Sequence, residues 1–148
     1  MKNRISKEEQ AFNSLAALPK TAQKQIKGKG SVKVWTKKAD IVFSLYIRAR
    51  DGNVCQWCGT TKKLQCAHIV PRTIKLLRWD ERNAIALCLR CHLYKAHKDP
   101  ILFHEFLEAN FRENYSFVQK ERYKDMAKIT VDYLHGTYDR YSDKLKGL

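Results

Sequence analysis

The apolar residues between positions 39 and 50 recur every three or four residues, which is the spacing of an amphipathic helix. The stripe consists of Val42, Leu45, Tyr46 and Ala49. Asp51 and Gly52 follow directly, and a glycine just past the last periodic residue is a typical helix end. The pattern therefore predicts a helix from Ala39 to Arg50 whose apolar side packs in a core.

Two short apolar segments come next, and both have the length of strands. They cover residues 64–70 and 84–88, and the loop between them, residues 71–81, is rich in charged side chains. A short apolar run bounded by turn residues is typical of a buried strand. The second strand leads into a predicted helix that ends near His97. The order strand, loop, strand, helix predicts an α+β fold with a ββα finger.

The C-terminal part of the chain has the pattern of flanking helices. Asp99 and Pro100 are a typical helix start. The apolar surface of that helix is supplied by Ile101, Phe103, Phe106, Leu107 and Phe111. From Asn114 onward the chain is predicted to be largely helical, with a break near Gly136. Residues 39–148 therefore form one domain with a helical extension.

The first 38 residues differ in composition from the rest. Ser6 and Glu9 have the spacing of a capping box, which predicts a short helix to about Leu18. Residues 20–38 are rich in Lys, Gln, Gly and Thr, which predicts a flexible basic arm. The alternative for this arm is a solvated linker that contacts nothing.

The charge of the chain predicts a polyanionic partner. The net charge is +14 over 148 residues, and residues 1–38 contain ten basic residues against two acidic ones. Nucleic acid is the simplest such partner, with Lys27, Lys29 and Lys33 as candidate phosphate contacts. An anionic membrane would also attract the arm, but the arm lacks the apolar face of an interfacial helix.

Five cysteines supply the most specific motif. Four of them form two C-x-x-C pairs, Cys55 with Cys58 and Cys88 with Cys91. Two residues between thiolates let both sulfurs of a tight turn point at one tetrahedral ion, so this frame predicts a structural four-cysteine zinc site. The alternative is two disulfides. The N-terminus has no apolar signal segment and no stretch is long enough to cross a membrane, so we expect a cytoplasmic, reducing location, which favours the metal.

The central 60 residues resemble the HNH endonucleases of the ββα-metal, treble-clef-like type, and specifically small phage-encoded members. The matching segments are residues 47–52, the first C-x-x-C-G, Leu64-Gln65-Cys66-Ala67-His68-Ile69, residues 78–84, and Leu87-Cys88-Leu89-Arg90-Cys91-His92. The resemblance implies hydrolysis of DNA phosphodiester bonds by a phage or mobile-element protein, and RNA is not excluded as a substrate.

The same resemblance implies roles for three residues. His68 would be the general base that activates water. Asn83 would hold the loop or orient the base, unless it is simply a turn residue. His92 would ligate a catalytic Mg²⁺, Mn²⁺ or other divalent ion, unless it only begins the helix beside the cysteines.

The chain departs from the family at Ala67. Most HNH enzymes have Asp or His just before the base, where it binds the catalytic metal, and alanine cannot coordinate an ion. His97 is the first candidate for a replacement ligand, and Asp80 and Cys66 are weaker ones. His97 has the alternative of an exposed residue at a helix end, and Cys66 that of a small buried hydrophobe.

The loop beside His68 contains candidate nucleic-acid contacts. Arg72 and Arg78 have the guanidinium fork that binds phosphate, or they are simply solvated. Trp57 and Trp79 would stack on bases or pack near the cysteines. The rival function is a non-catalytic nucleic-acid-binding zinc module, such as a recombination or packaging accessory, and Ala67 favours it.

Overall fold

The computed structural model describes residues 30–126 and 128–148, and these form an α+β fold. The α-helices are α1 (Val32–Arg50), α2 (Pro100–Asn110), α3 (Arg112–Glu121) and α4 (Val131–Lys146). The strands β1 (Leu64–His68) and β2 (Ala84–Cys88) make one antiparallel ribbon. A π-helix, Cys91–His97, follows β2. Two short 3₁₀ turns, Lys75–Leu77 and Glu81–Asn83, lie in the loop between the strands.

Helix α1 begins earlier than its sequence pattern predicts. It starts at Val32 rather than Ala39, so the prediction of a flexible arm is wrong for residues 32–38. The reason is Trp35, which continues the apolar stripe one turn back from Ala39 and is fully buried. Its ring packs against His135 and Tyr138 of α4. Burial of a tryptophan stabilises the extra two turns, whose local sequence is otherwise polar.

The strand ribbon has two different faces. Its register pairs Leu64 with Cys88 at one end and His68 with Ala84 at the other. Cys66 packs against the core cluster of α1 and α4, whereas Ala67 packs against the cluster around the π-helix and α2. Successive strand residues point to opposite faces, so the ribbon forms the layer between these two clusters. Strand β2 has the predicted bounds, and β1 ends two residues earlier than predicted.

The helices after β2 follow the predicted order with one exception. The Asp99 side chain accepts a hydrogen bond from the backbone of Leu102 at 3.0 Å, which caps the start of α2 as expected. The predicted break near Gly136 is wrong, because α4 runs without interruption from Val131 to Lys146. The break lies between α3 and α4 instead. Glycine is tolerated inside α4 because Leu134 and Tyr141 bury the helix against α1.

Among residues 30–126 and 128–148, no helix combines the length and apolar character needed to cross a membrane.

Candidate metal and catalytic sites

The four cysteines of the two C-x-x-C pairs meet in space. Their sulfur atoms all lie within 4.8 Å of one another, and those of Cys58 and Cys88 are 3.7 Å apart. A tetrahedral site with zinc–sulfur bonds of 2.3 Å has sulfur–sulfur edges of about 3.8 Å. A disulfide needs sulfurs about 2.05 Å apart, and all five cysteines are free thiols. The cysteine cluster, defined as Cys55, Cys58, Cys88 and Cys91, could therefore hold a structural metal such as zinc.

Backbone turns bring the cysteine pairs into position. The first turn is closed by a hydrogen bond from Gly59 N to Cys55 O at 2.8 Å, and Gly59 has a φ of 71° that suits glycine. In the second turn, Cys91 N donates to the sulfur of Cys88 at 3.4 Å. A backbone donor at a sulfur stabilises a thiolate, as a metal ligand requires.

No other cluster of three or more His, Cys, Asp or Glu side chains lies within metal-binding distance in the described part of the chain. Cys66 is a poor replacement ligand, because burial raises the pKa of its thiol to about 12 and it faces the α1 side of the ribbon. Asp80 is occupied by Arg82, whose guanidinium lies 2.7 Å from the carboxylate. These two weaker candidates are therefore not supported by their surroundings.

His68 lies at the end of β1, half-buried against the ring of Phe43. Its Nε2 atom is 3.0 Å from the carbonyl oxygen of Arg78. A carbonyl only accepts, so Nε2 carries the hydrogen and Nδ1 keeps the lone pair of the neutral ring. Burial lowers the pKa of His68, which favours that neutral form. The ring is thus fixed in one tautomer with a free basic nitrogen.

Asn83 is completely buried and joins the two ends of the inter-strand loop. Its amide nitrogen donates to the carbonyl oxygens of Val70 and Leu77, at 3.2 and 2.9 Å. Its amide oxygen accepts from the backbone of Val70 at 2.8 Å. All these partners are backbone groups, so Asn83 holds the loop rather than contacting the His68 side chain. Of the two roles implied by the resemblance, its contacts match loop holding.

His92 is oriented by a residue that the sequence analysis did not single out. Its Nδ1 lies 2.7 Å from Oε1 of Gln65 in β1, so Nδ1 carries the hydrogen and Nε2 is free to bind an ion. Gln65 is two residues before Ala67 and shares its face of the strand. The two-residue period of the strand was the available sequence signal. It places the polar side chain of Gln65 on the same face as Ala67, where the family has a metal ligand, and that face is turned to the π-helix. Burial, then the charges of His97, His68 and Arg72, lowers the pKa of His92 to about 4.

His97 lies beside His92, with ring centroids 4.5 Å apart in an edge-to-face arrangement. A residue five positions away is off-face on an α-helix, but Cys91–His97 is a π-helix. Its i→i+5 hydrogen bonds place residues five apart on neighbouring positions of one face. The two imidazoles are therefore in contact, and helix winding rather than fraying at the helix end is the cause.

The two candidate arginines of the loop differ in their contacts and in their exposure. Arg78 forms a fork with Asp40 at 3.0 and 2.6 Å, and the Asp40 carboxylate also accepts from the indole of Trp79 at 2.9 Å. Arg72 is 3.7 Å from the same carboxylate, but 59% of its side chain is exposed, and its charge acts on both His68 and His92. Arg72 is the better placed of the two for phosphate, whereas Arg78 is engaged in holding the loop.

The remaining predicted contacts lie away from this region or outside the described residues. Trp57 stacks on Phe106 at 4.2 Å between ring centroids, and Trp79 is buried, so both are packing residues and base stacking on Trp79 is excluded. Lys33 is exposed on α1. Lys27 and Lys29, like the predicted helix to Leu18, lie outside the described residues.

Comparison with protein-family models, with curated proteins and with solved structures finds no match to this chain. Its function has therefore to be inferred from its own residues and their geometry.

Proposed function

We propose that this chain is a zinc-stapled, metal-dependent HNH endonuclease that hydrolyses DNA phosphodiester bonds, with His68 as the general base. The observation that supports it best is the pair of oriented imidazoles. His68 is held by a backbone carbonyl and His92 by Gln65, so each ring presents one free nitrogen. A general base and a metal ligand each need one ring nitrogen with a free lone pair, which a hydrogen bond at the other nitrogen fixes.

The base step follows from the environment of His68. Its lowered pKa keeps the ring neutral at physiological pH, so Nδ1 can accept a proton from a water molecule that attacks phosphorus. Nε2 keeps its hydrogen and donates it to the carbonyl oxygen of Arg78, which stabilises the imidazolium formed after proton transfer. Asn83 contributes by fixing the loop that presents this carbonyl.

His92 and His97 are the residues that would hold the catalytic divalent ion. Such an ion would stabilise the charge that develops on the phosphate and on the leaving 3′-oxygen. Two imidazoles without a carboxylate favour Mn²⁺ or Ni²⁺ over Mg²⁺, which prefers oxygen ligands. Ala67 is 1% exposed and packs toward the π-helix, so its position faces the side on which the missing ligand would be needed.

The proposed substrate follows from charge. The charge of Arg72 acts on both His68 and His92, and its side chain is mostly exposed, so it is suited to contact a substrate phosphate. Lys33 on α1, together with Lys27 and Lys29, would add contacts that do not depend on sequence. DNA is the proposed partner, RNA is an alternative substrate, and a phage or mobile-element protein acting in the host cytoplasm is the proposed origin.

The second candidate function is a non-catalytic nucleic-acid-binding zinc module. The observation that favours it is the absence, in the described residues, of a second cluster of three metal-binding side chains. Under this proposal the cysteine cluster holds the fold, the basic residues bind nucleic acid, and the histidines serve packing alone.

A cleavage assay decides between the two. Plasmid, linear and branched DNA, and a matched RNA, are incubated with Mg²⁺, Mn²⁺ or Ni²⁺, beside His68→Ala and the exposed control His104→Ala. The enzyme predicts cleavage with Mn²⁺ or Ni²⁺ that is lost in His68→Ala and kept in the control. Ala67→Asp should extend activity to Mg²⁺. If neither wild type nor Ala67→Asp cuts with any metal, the binding module is the correct function.

A further inference from the structure

A shallow depression of about 390 Å³ lies at the edge of the cysteine cluster, with Cys58 and Cys88 in its lining, and outside the proposed catalytic region. Three cations line it, Lys62, Lys63 and Arg90, together with Tyr94. All four side chains are exposed, and no acidic residue lines the depression. Within residues 30–126 and 128–148, none of the three cations has an ion pair. Most of the surface of the depression itself is apolar. The charged ends of three unpaired cations beside it favour a bound anion there.

The fold brings these cations together from two separate segments. Leu89 N donates to Lys63 O at 2.9 Å, which extends the strand pairing one step beyond Leu64 and Cys88. Lys62 and Lys63 are thereby held beside Arg90, the next residue along. Lys63 has a φ of 52°, a left-handed conformation that lysine seldom adopts. Residues in such conformations are concentrated at binding sites, where the surroundings over-determine the backbone.

Tyr94 is the aromatic residue that lines the depression. The ring is 60% exposed, unlike the buried aromatics of the core, and the ammonium of Lys98 lies 4.7 Å from its centroid. Tyr94 is on the same π-helix as His92 and His97. An exposed ring flanked by cations is the arrangement with which proteins stack an unpaired base while binding its phosphates.

We name this surface, lined by Lys62, Lys63, Arg90 and Tyr94 next to the C-x-x-C turns, the knuckle depression. We propose that it binds single-stranded nucleic acid, with phosphates at the three cations and a base stacked on Tyr94. The inference rests on the proposed function only in taking nucleic acid as the partner. A duplex has its bases already stacked, so the tyrosine gives a preference for single strands. An enzyme built this way acts where a strand is displaced or branched.

The main alternative is that the cations only balance the negative charge of the cysteine cluster. Four thiolates around one Zn²⁺ carry a formal charge of −2, and nearby lysines and arginines would stabilise it. In that case the cations matter for metal retention and not for nucleic acid. The two roles therefore separate in a measurement of zinc content beside one of binding.

The experiment uses the full-length protein with His68→Ala, so that substrate stays uncut. The test variant adds Lys62→Gln, Lys63→Gln and Arg90→Gln. The control adds Arg112→Gln, Lys120→Gln and Lys128→Gln, which removes the same charges from exposed positions elsewhere. Affinity for a 20-nucleotide single strand and for the matching duplex is measured against salt by fluorescence anisotropy, and zinc is measured by elemental analysis.

The test variant should lose about two units of the log–log salt slope for the single strand, since each single-strand phosphate contact is worth about 0.7. Tyr94→Ala should weaken single-strand binding by roughly 5- to 150-fold, spare the duplex and be rescued by Tyr94→Phe. Equal losses in test and control variants overturn the proposal. So do loss of zinc in the test variant, an unaffected Tyr94→Ala, or displacement of the strand by millimolar inorganic phosphate.

The outcome is separable from that of the proposed function. A wild type that binds single strands through the knuckle depression but cuts nothing refutes the nuclease and keeps this inference. A wild type that cuts, while the test variant binds the single strand as tightly as its His68→Ala parent, keeps the nuclease and refutes this inference.

Discussion

The cysteine cluster and the histidine site, defined as His68, His92 and His97, both draw residues from the strand ribbon and the π-helix, but they differ in completeness. The cysteine cluster has four like ligands within 4.8 Å of one another, which is a full tetrahedral set. The histidine site has two neighbouring imidazoles and a third on the loop side, with Ala67 where a ligand is expected. The cysteine cluster can hold a metal with its own four ligands, whereas the histidine site needs further ligands.

The difference separates a folding role from a binding role. A closed set of thiolates leaves no position for substrate, so its metal can only stabilise the fold. An open set of oriented imidazoles has free nitrogens that can bind an ion, and water or a substrate phosphate can complete the coordination of that ion. Under the proposed function, the ribbon and its loop are a scaffold that is stabilised at the cysteines and holds the histidines in place.

The largest expected effect tests the folding role. Cys88→Ser should lose the metal and unfold the finger, because structural zinc supplies about 10–16 kcal/mol and small domains have only about 5–15 kcal/mol of stability. Near-ultraviolet circular dichroism and elemental analysis measure both losses. Cys66→Ala, outside the cluster, should keep its zinc. A folded, metal-free Cys88→Ser would show that the cluster is not the structural element of this comparison.

The second effect tests the chemistry of the open region. His68→Ala should lower the cleavage rate by roughly 10²- to 10⁴-fold, because it deletes the base while DNA affinity is kept. Single-turnover cleavage and anisotropy measure the two quantities. Rates that fall equally in the exposed His104→Ala would contradict a specific role.

The third effect tests how His92 is oriented. Gln65→Leu should reduce affinity for the catalytic ion by about 10- to 100-fold, because the partner that fixes the ring tautomer is lost. Titration of Mn²⁺ against cleavage rate gives the affinity, and zinc content should not change. An unaltered dependence of the cleavage rate on Mn²⁺ would show that Gln65 does not orient His92 as a ligand of the catalytic ion.

The smallest effect concerns pH. In the proposed function, the neutral form of His68 is the base. Burial lowers the pKa of His68 below the usual 6.5, so activity should persist below pH 6.5 and fall only as the ring is protonated. Asp40→Asn removes a charge that raises this pKa and loosens the carbonyl at Arg78 that also raises it. The acid limb of the pH–rate profile should therefore move to lower pH, with a smaller rate loss than in His68→Ala.

An acid limb that moves to higher pH, or does not move, would show that the Asp40 fork does not position His68.

The burial of His68 also has a consequence for stability, and its sign is known. Below pH 6.5 the unfolded chain binds a proton that folded His68 resists, so stability should fall as pH drops from 6.5 toward the folded pKa. Denaturant unfolding of wild type and His68→Ala measures that difference.

Local patterns predicted much of this fold because they depend on neighbouring residues. The C-x-x-C spacing, the strand at residues 84–88 and the cap at Asp99 are all set within a few positions. The early start of α1 was not predicted, because the helix there depends on Trp35 packing against His135 and Tyr138, more than 90 positions away. The uninterrupted α4 at Gly136 was missed for the same reason, since tertiary packing outweighs local propensity.

The sequence by itself determined which chemical groups this protein has and their order: four thiolates, His68, Asn83, His92 and a basic surface. The tertiary structure decided the tautomers, the orientations and the hydrogen-bond partners of these groups. It fixed the tautomer of His68 through a loop carbonyl, oriented His92 through Gln65 and occupied Arg78 with Asp40. It also brought His97 beside His92 by π-helical winding. The physical reason is that residue identity is a local property, whereas burial, hydrogen-bond partners and helix winding depend on contacts between distant segments.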